Sequence, residues 1–159
     1  MVSLLLIGSG AREVAIARKI KESSSSTLLY CVASTTNPQI KNLSELYFEQ
    51  SPSEISSVLE SIQNLAIDLA IIGPENPLEA GLVDALEKVG IPCVGPKKGV
   101  AKIETSKAFA RDILDRCSPE MNPERKEFFS IDGVEDFLQH LNGEYVIKHD
   151  GLMGGQGVK

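Results

Sequence analysis

Three glycine-bearing stretches carry the side chains with chemistry to offer in this sequence. Gly8-Ser9-Gly10-Ala11-Arg12-Glu13 follows a short apolar run. Glycine lets a chain pass close to a ligand, and the backbone N–H groups at a helix start favour an anion, so this loop can seat a phosphate. Gly73-Pro74-Glu75 follows another apolar run, and Glu75 offers acceptor oxygens suited to sugar hydroxyls or an amine. Near the end of the chain, Gly154-Gly155-Gln156-Gly157 can wrap the outer phosphates of a nucleotide, with Lys148 upstream as a point charge. No G-x-x-x-x-G-K-[ST] pattern occurs, so this is not a Walker loop. Each stretch also has a plainer reading: a tight strand-to-helix turn, a strand-ending turn with a solvated glutamate, and a hairpin loop with a solvated lysine.

A strand followed by Gly8-x-Gly10 is the beginning of a dinucleotide fingerprint, but position 13 is Glu where that pattern wants a small residue. No acidic residue ends the next strand, Tyr30-Cys31-Val32-Ala33. His140 and His149 are the only histidines and form no triad or metal-ligand spacing with their neighbours. The three cysteines, Cys31, Cys93 and Cys117, show no C-x-x-C and suit packing better than catalysis, although a pairing of Cys31 with Cys93 across neighbouring strands is conceivable.

These residues need a frame. Continuous apolar runs at 2–7, 28–32, 67–72 and 91–94 read as strands buried on both faces, with 45–49 a weaker candidate. Helical stripes lie between them: Ile16, Ala17 and Ile20; Ile55, Val58, Leu59 and Ile62; and Leu78, Leu82, Ala85, Leu86 and Val89. Ser51-Pro52-Ser53-Glu54 has the form of a capping box opening the second of these helices. The order strand, helix, strand, strand, helix, strand, helix, strand predicts an α/β fold, a parallel Rossmann-like sheet with helices on both faces. Its rim would gather residues 8–13, 33–38, 73–77 and 95–96.

From residue 103 the pattern changes. A helix carrying Phe109, Ala110, Ile113 and Leu114 precedes a short strand at 126–130, a helix with Val134, Phe137, Leu138 and Leu141, a strand at 145–148 and the glycine-rich loop. Two strands and a helix make a poor independent fold, so a first domain over 1–102 and the incomplete beginning of a second over 103–159 are expected. With 159 residues, 42% of them apolar and a net charge of -6, the chain can bury a core but has no basic surface for nucleic acid or anionic membrane. The 2–7 run lacks a basic flank and is too short for a signal or a membrane span, and the reducing cytoplasm is the expected location.

Five stretches in order along the chain resemble the N-terminal portion of the phosphoribosylamine–glycine ligase family, of the ATP-grasp superfamily. They are residues 6–13; Gly73-Pro74-Glu75-Asn76-Pro77-Leu78 with Gly81 and Asp84; Gly95-Pro96; Glu104-Thr105-Ser106-Lys107-Ala108-Phe109; and residues 146–158. The resemblance implies a pre-ATP-grasp domain over 1–102, then the truncated start of an ATP-grasp domain with lid strands. It implies ATP-dependent ligation of glycine to phosphoribosylamine, glycine's carboxylate being activated as an acyl phosphate while magnesium shields the phosphates. By analogy Gly8, Ser9, Gly10, Ala11, Arg12, Glu13, Gly73, Pro74 and Glu75 hold phosphoribosylamine, and Lys107, Lys148, Gly154, Gly155, Gln156 and Gly157 hold ATP. Catalytic residues and magnesium ligands are expected beyond Lys159, so the isolated chain is not expected to turn over.

The sequence departs from the family at Ala11 (usually Gly), Val14 (usually His), Ser34-Thr35-Thr36 (usually Pro-Gly-Asn) and Gln156 (often Lys). Each change removes backbone freedom or a polar group from the expected substrate edge. The alternatives are a divergent ligase with another acceptor, or a truncated, non-catalytic module that binds a phosphosugar or nucleotide.

Overall fold

A computed structural model describes residues 1–23, 26–141 and 143–153. Five strands, β1 (Val2–Ile7), β2 (Thr27–Ala33), β3 (Leu46–Glu49), β4 (Leu69–Ile72) and β5 (Cys93–Val94), form one sheet in the order β3-β2-β1-β4-β5. Every pairing is parallel. Side chains alternate across a strand, and here both faces are covered, which is why the strands read as unbroken apolar runs. Leu5, Ile7, Val32 and Ile72 enter one core with Val58, Leu82 and Leu86. Leu6, Leu29, Cys31 and Ala33 enter the other with Ala17 and Ile40. Leu5, Leu6 and Ile7 are fully buried, each contributing about 1.5–3 kcal/mol through loss of apolar surface to water.

The connections follow from the strand directions. Parallel neighbours need a crossover, and the expected direct step from the second strand to the third contained none. The structure supplies it as α2 (Pro38–Leu43), with Asn37 as N-cap accepting from the Gln39 N–H and Pro38 in the first turn. The other crossovers are α1 (Ala11–Glu22), α3 (Ile55–Ile62), and the pair α4 (Glu75–Ala80) and α5 (Leu82–Lys88). The last two were expected as one helix over 78–89. Gly81 breaks it by adopting φ +98°, a left-handed conformation that glycine takes without steric cost.

The capping box expected at residues 51–54 does not form. Ser51 accepts the Glu54 N–H in a turn and Pro52 is buried, so α3 starts at Ile55. Proline suits the second position of a turn as well as the first position of a helix, and burial of its ring decides for the turn. Cys31 and Cys93 are both free and sit on β2 and β5, which β1 and β4 separate, so the conceivable pairing is ruled out.

The chain divides into two units, Met1–Ala101 and Lys102–Lys159. The division falls inside α6 (Lys98–Thr105). In the second unit α7 (Lys107–Cys117) and α8 (Val134–His140) are helical. The strands expected at 126–130 and 145–148 are absent, and only Lys148 forms an isolated bridge. A strand requires a ladder partner for its backbone, and neither segment has one among the described residues. Residues 126–128 are tied down by side chains instead: the Lys126 ammonium lies 5.1 Å from the Phe128 ring centre and 5.8 Å from that of Phe137, and the two rings are 5.8 Å apart. No described helix is long and apolar enough to cross a membrane.

Candidate functional site

The strand order reverses at β1: the chain builds outward through β2 and β3, then returns to add β4 on the other side. Loops leaving β1 and β4 therefore diverge, and the crevice between them is where a parallel α/β sheet offers a ligand site. The divergence begins at two glycines. Gly8 N–H donates to the Val32 carbonyl at 2.9 Å and Gly73 N–H to the Ile7 carbonyl at 3.1 Å, the last ladder bonds before the loops part.

Beyond them opens a cleft of about 390 Å³ lined by Gly8, Ser9, Gly10, Arg12, Glu13 and Ser34, with Ser51, Pro52, Ser53, Pro74, Asn76 and Pro77 opposite. Ser9 and Asn76 thus face one cavity, as the parallel sheet requires. The Arg12 guanidinium bridges the two loops, 3.1 Å from Glu75 Oε1 and 3.4 Å from Glu13 Oε1. Glu75 is held below the ordinary carboxylate range, first by its own backbone N–H and then by Arg12, so it stands ionised as an acceptor. Helix geometry leaves the N–H groups of Ala11 and Arg12 without acceptors in the first turn of α1. Gly10 N–H is spent internally, donating to Glu13 Oε2 at 2.6 Å. Glu13 is 4% exposed, with its carboxylate turned inward beneath the loop. A groove of about 450 Å³ lined by Leu4, Ile16, Lys19, Ile20, Ser23 and Thr27 is apolar and lacks convergent polar groups.

Ser51, Pro52 and Ser53 of this cleft were missed in the sequence, and the 33–38 loop, expected on the rim, was given no role there. Asn37 Nδ2 donates to the Ser9 carbonyl at 2.8 Å, and Ser9 and Thr35 share a hydroxyl hydrogen bond of 3.1 Å, so the second rim loop buttresses the first. The pair Asn37-Pro38 is a helix-start signal and was there to be read. Ser51, Pro52 and Ser53 reach the cleft only because their segment turns. The departures from the family also find places. Val14 is half-buried against the core on the α1 side and is not among the residues lining the cleft. Ala11 occupies the first helical position, where a side chain brings no strain. Cys31 is buried, its thiol pushed up to about 12 by that burial, and it donates to the Gly8 carbonyl.

In the second unit Asp150 joins two of the stretches that carry the resemblance, 104–109 and 146–158. Its Oδ1 accepts from the N–H groups of Lys107 at 2.5 Å and Ala108 at 3.2 Å, its Oδ2 accepts from Ser106 Oγ at 3.0 Å, and Lys107 Nζ donates to the Gly151 carbonyl at 2.9 Å. Lys107 thereby sits beside Gly151, and Lys148 is exposed. Gly154, Gly155, Gln156 and Gly157 lie outside the described residues.

Residues 2–104 match the family described as phosphoribosylglycinamide synthetase, N domain. The chain belongs to that family. Phosphoribosylamine–glycine ligases from Methanosarcina barkeri and Methanopyrus kandleri are 42% and 39% identical to it, over 99% and 100% of this chain. The chain spans 36% of the length of each. The crystal structure of phosphoribosylglycinamide synthetase from Anaerococcus prevotii superposes with a TM-score of 0.65 at 17% identity, covering 93% of this chain and 37% of that one. N5-carboxyaminoimidazole ribonucleotide synthetase from Thermotoga maritima gives 0.68 at 13% identity, over 100% and 40%. At these identities the structures speak for the fold, and they agree on a Rossmann-like parallel sheet.

Proposed function

We propose that this chain supplies the phosphosugar-amine cleft of a cytoplasmic phosphoribosylamine–glycine ligase, together with the first part of its nucleotide site. The observation that carries the reading is the convergence, at the strand-order switch, of the glycine loop that starts α1, the Arg12 guanidinium and Asn76 on one cleft, with the ionised Glu75 paired to Arg12 at 3.1 Å. The Ala11 and Arg12 amides and the Arg12 side chain take the phosphate. Glu75 accepts hydrogen bonds from ribose hydroxyls or the amine, whose lone pair is thereby left free to attack. Gly8, Ser9, Gly10, Gly73 and Pro74 are the walls, and Glu13 supports them from beneath. Binding the sugar phosphate requires Arg12 to exchange part of its contact with Glu75, which an exposed ion pair does at little cost.

Residues 1–102 are then the substrate domain and 103–159 the start of the ATP-grasp domain. ATP with magnesium supplies the phosphoryl group that activates glycine. Lys107 and Lys148 fit a polyphosphate: among the described residues the Lys107 ammonium meets only a neutral carbonyl, which a phosphate oxygen outcompetes. Gly154 to Gly157 complete that seat. Among the described residues no group of three or more His, Cys, Asp or Glu side chains is arranged to hold a metal ion, and no magnesium ligand is assigned here.

Titration of the chain with ribose 5-phosphate, followed by amide NMR, should shift Ser9, Ala11, Arg12 and Glu75. Shifts confined elsewhere overturn the assignment. For a chain extended to the relatives' full length, ADP release should depend on both glycine and phosphoribosylamine. Turnover with another amine alone identifies a divergent ligase, and binding without turnover a non-catalytic module.

A further inference from the structure

Glu13 is placed oddly for a ligand contact. Carboxylates are rarely buried without a partner. This one is 4% exposed, and its Oε1 accepts no hydrogen bond among the described residues, the nearby Arg12 Nε standing at ion-pair distance only. Its position is set by what surrounds it. A Cβ at Gly73 would stand 2.1 Å from Oε1, one at Gly10 2.7 Å from Oε2, and one at Gly8 3.0 Å from Cγ. Glycines from both loops enclose a single side chain.

Gly73 decides what this means. Gly8 has φ +113° and would be glycine on backbone grounds alone. Gly73 is not among the residues with positive φ, so its backbone admits any side chain. The three atoms nearest its absent Cβ, at 2.1, 2.6 and 2.8 Å, all belong to Glu13. We propose that Glu13 is a positioning residue: a strut, anchored by the Gly10 N–H, whose carboxylate fills the Cβ site of Gly73 and so sets the spacing between the 8–13 loop and the 73–75 turn. Arg12 and Glu75 adjoin the two ends of this contact, and their separation across the cleft follows from it. The strut stands on steric grounds of its own; only its effect on ligand affinity rests on the proposed function.

The test uses the 159-residue chain and the variants Gly73→Ala, Glu13→Ala, Glu13→Gln and Glu13→Ala/Gly73→Ala. Gly73→Ala should lower Tm by roughly 5–10 °C or abolish folding. The double variant should fold, with a Tm within about 2 °C of Glu13→Ala, because the obstacle has gone. Penalties that simply add, or a double variant that stays unfolded while Glu13→Ala folds, overturn the strut. The Gly10 amide proton, now in a short charge-assisted bond, should move upfield in Glu13→Ala and part of the way in Glu13→Gln; an unmoved resonance also overturns it. Folded Glu13→Ala should bind ribose 5-phosphate about tenfold more weakly, and unchanged affinity refutes the positioning role. If the unsubstituted chain binds no ribose 5-phosphate, the proposed function fails, while the Tm coupling still decides the strut.

Discussion

Asn37 makes three hydrogen bonds at once, two of them from its side chain to backbone groups. Its Oδ1 caps α2 through the Gln39 N–H at 3.0 Å, its Nδ2 holds the Ser9 carbonyl at 2.8 Å, and its own N–H donates to the Tyr47 hydroxyl at 3.2 Å. Asn37→Ala should therefore cost about 1–2 kcal/mol in urea unfolding, and loosen Ser9 as seen in its amide exchange; a loss within 0.3 kcal/mol, roughly the error of such measurements, counts against the role. Asp150 makes a pH prediction. Burial alone would raise its carboxyl, but hydrogen bonds from Ala108, Ser106, Lys107 and Gly151 outweigh it and hold the group below its ordinary value. A folded-state value below the unfolded one stabilises the start of α7 at any pH above the unfolded value, roughly 3.9, and the stabilisation is lost as pH falls through the folded value. The Asp150 carboxyl carbon should titrate with a midpoint under about 3.9, the Lys107 and Ala108 amides moving with it; Asp150→Asn should abolish that step. At this scale the sequence was partly legible. Gly8, Arg12 and Glu75 could be read as ligand candidates from type and position. The inward turn of Glu13 could not, because a loop glutamate ordinarily stays in water and only the missing Cβ of a residue sixty positions away makes room for it.

Whole elements were more readable because burial on both faces writes itself into consecutive residues. Four of the five strands fall within or beside the apolar runs, and β3 falls on the weaker candidate at 45–49. Leu5, with no exposed surface at the centre of the sheet, should on replacement by Ala destabilise the chain by about 2–5 kcal/mol in chemical denaturation. A loss under about 1 kcal/mol would mean that the sheet core is not packed as described. Where the reading of elements failed, a pattern had two physical outcomes and tertiary context chose. Ser51-Pro52-Ser53-Glu54 serves as turn or cap; the apolar stripe over 78–89 does not show that Gly81 turns left-handed; and the segments at 126–130 and 145–148 form no strand among the described residues, Lys148 alone making an isolated bridge. The crossover α2 was recoverable by logic alone, since two adjacent parallel strands cannot be joined without one.

The two units of the chain differ in what they bury. In Met1–Ala101 two cores flank a sheet with its central strand sealed on both faces. In the second unit neither α7 nor α8 has a fully buried residue, and Phe129 and Ile131 are 98% and 82% exposed. Local stability tracks buried apolar surface, so the units should not open together. Hydrogen exchange should show the amides of β1, β2 and β4 protected up to the global unfolding free energy. Those of α7 and α8 should exchange through local opening at least about a hundredfold faster. Ribose 5-phosphate sharpens the comparison. A ligand that binds one folded unit slows only the openings that destroy its site, by the factor 1 + [L]/Kd. Saturating ribose 5-phosphate should therefore slow exchange in β1 and β4, whose ends carry the cleft, and leave α7 and α8 at their ligand-free rates. Equal slowing in both units would show that they unfold as one body, and the cleft would then owe its stability to residues on both sides of the division.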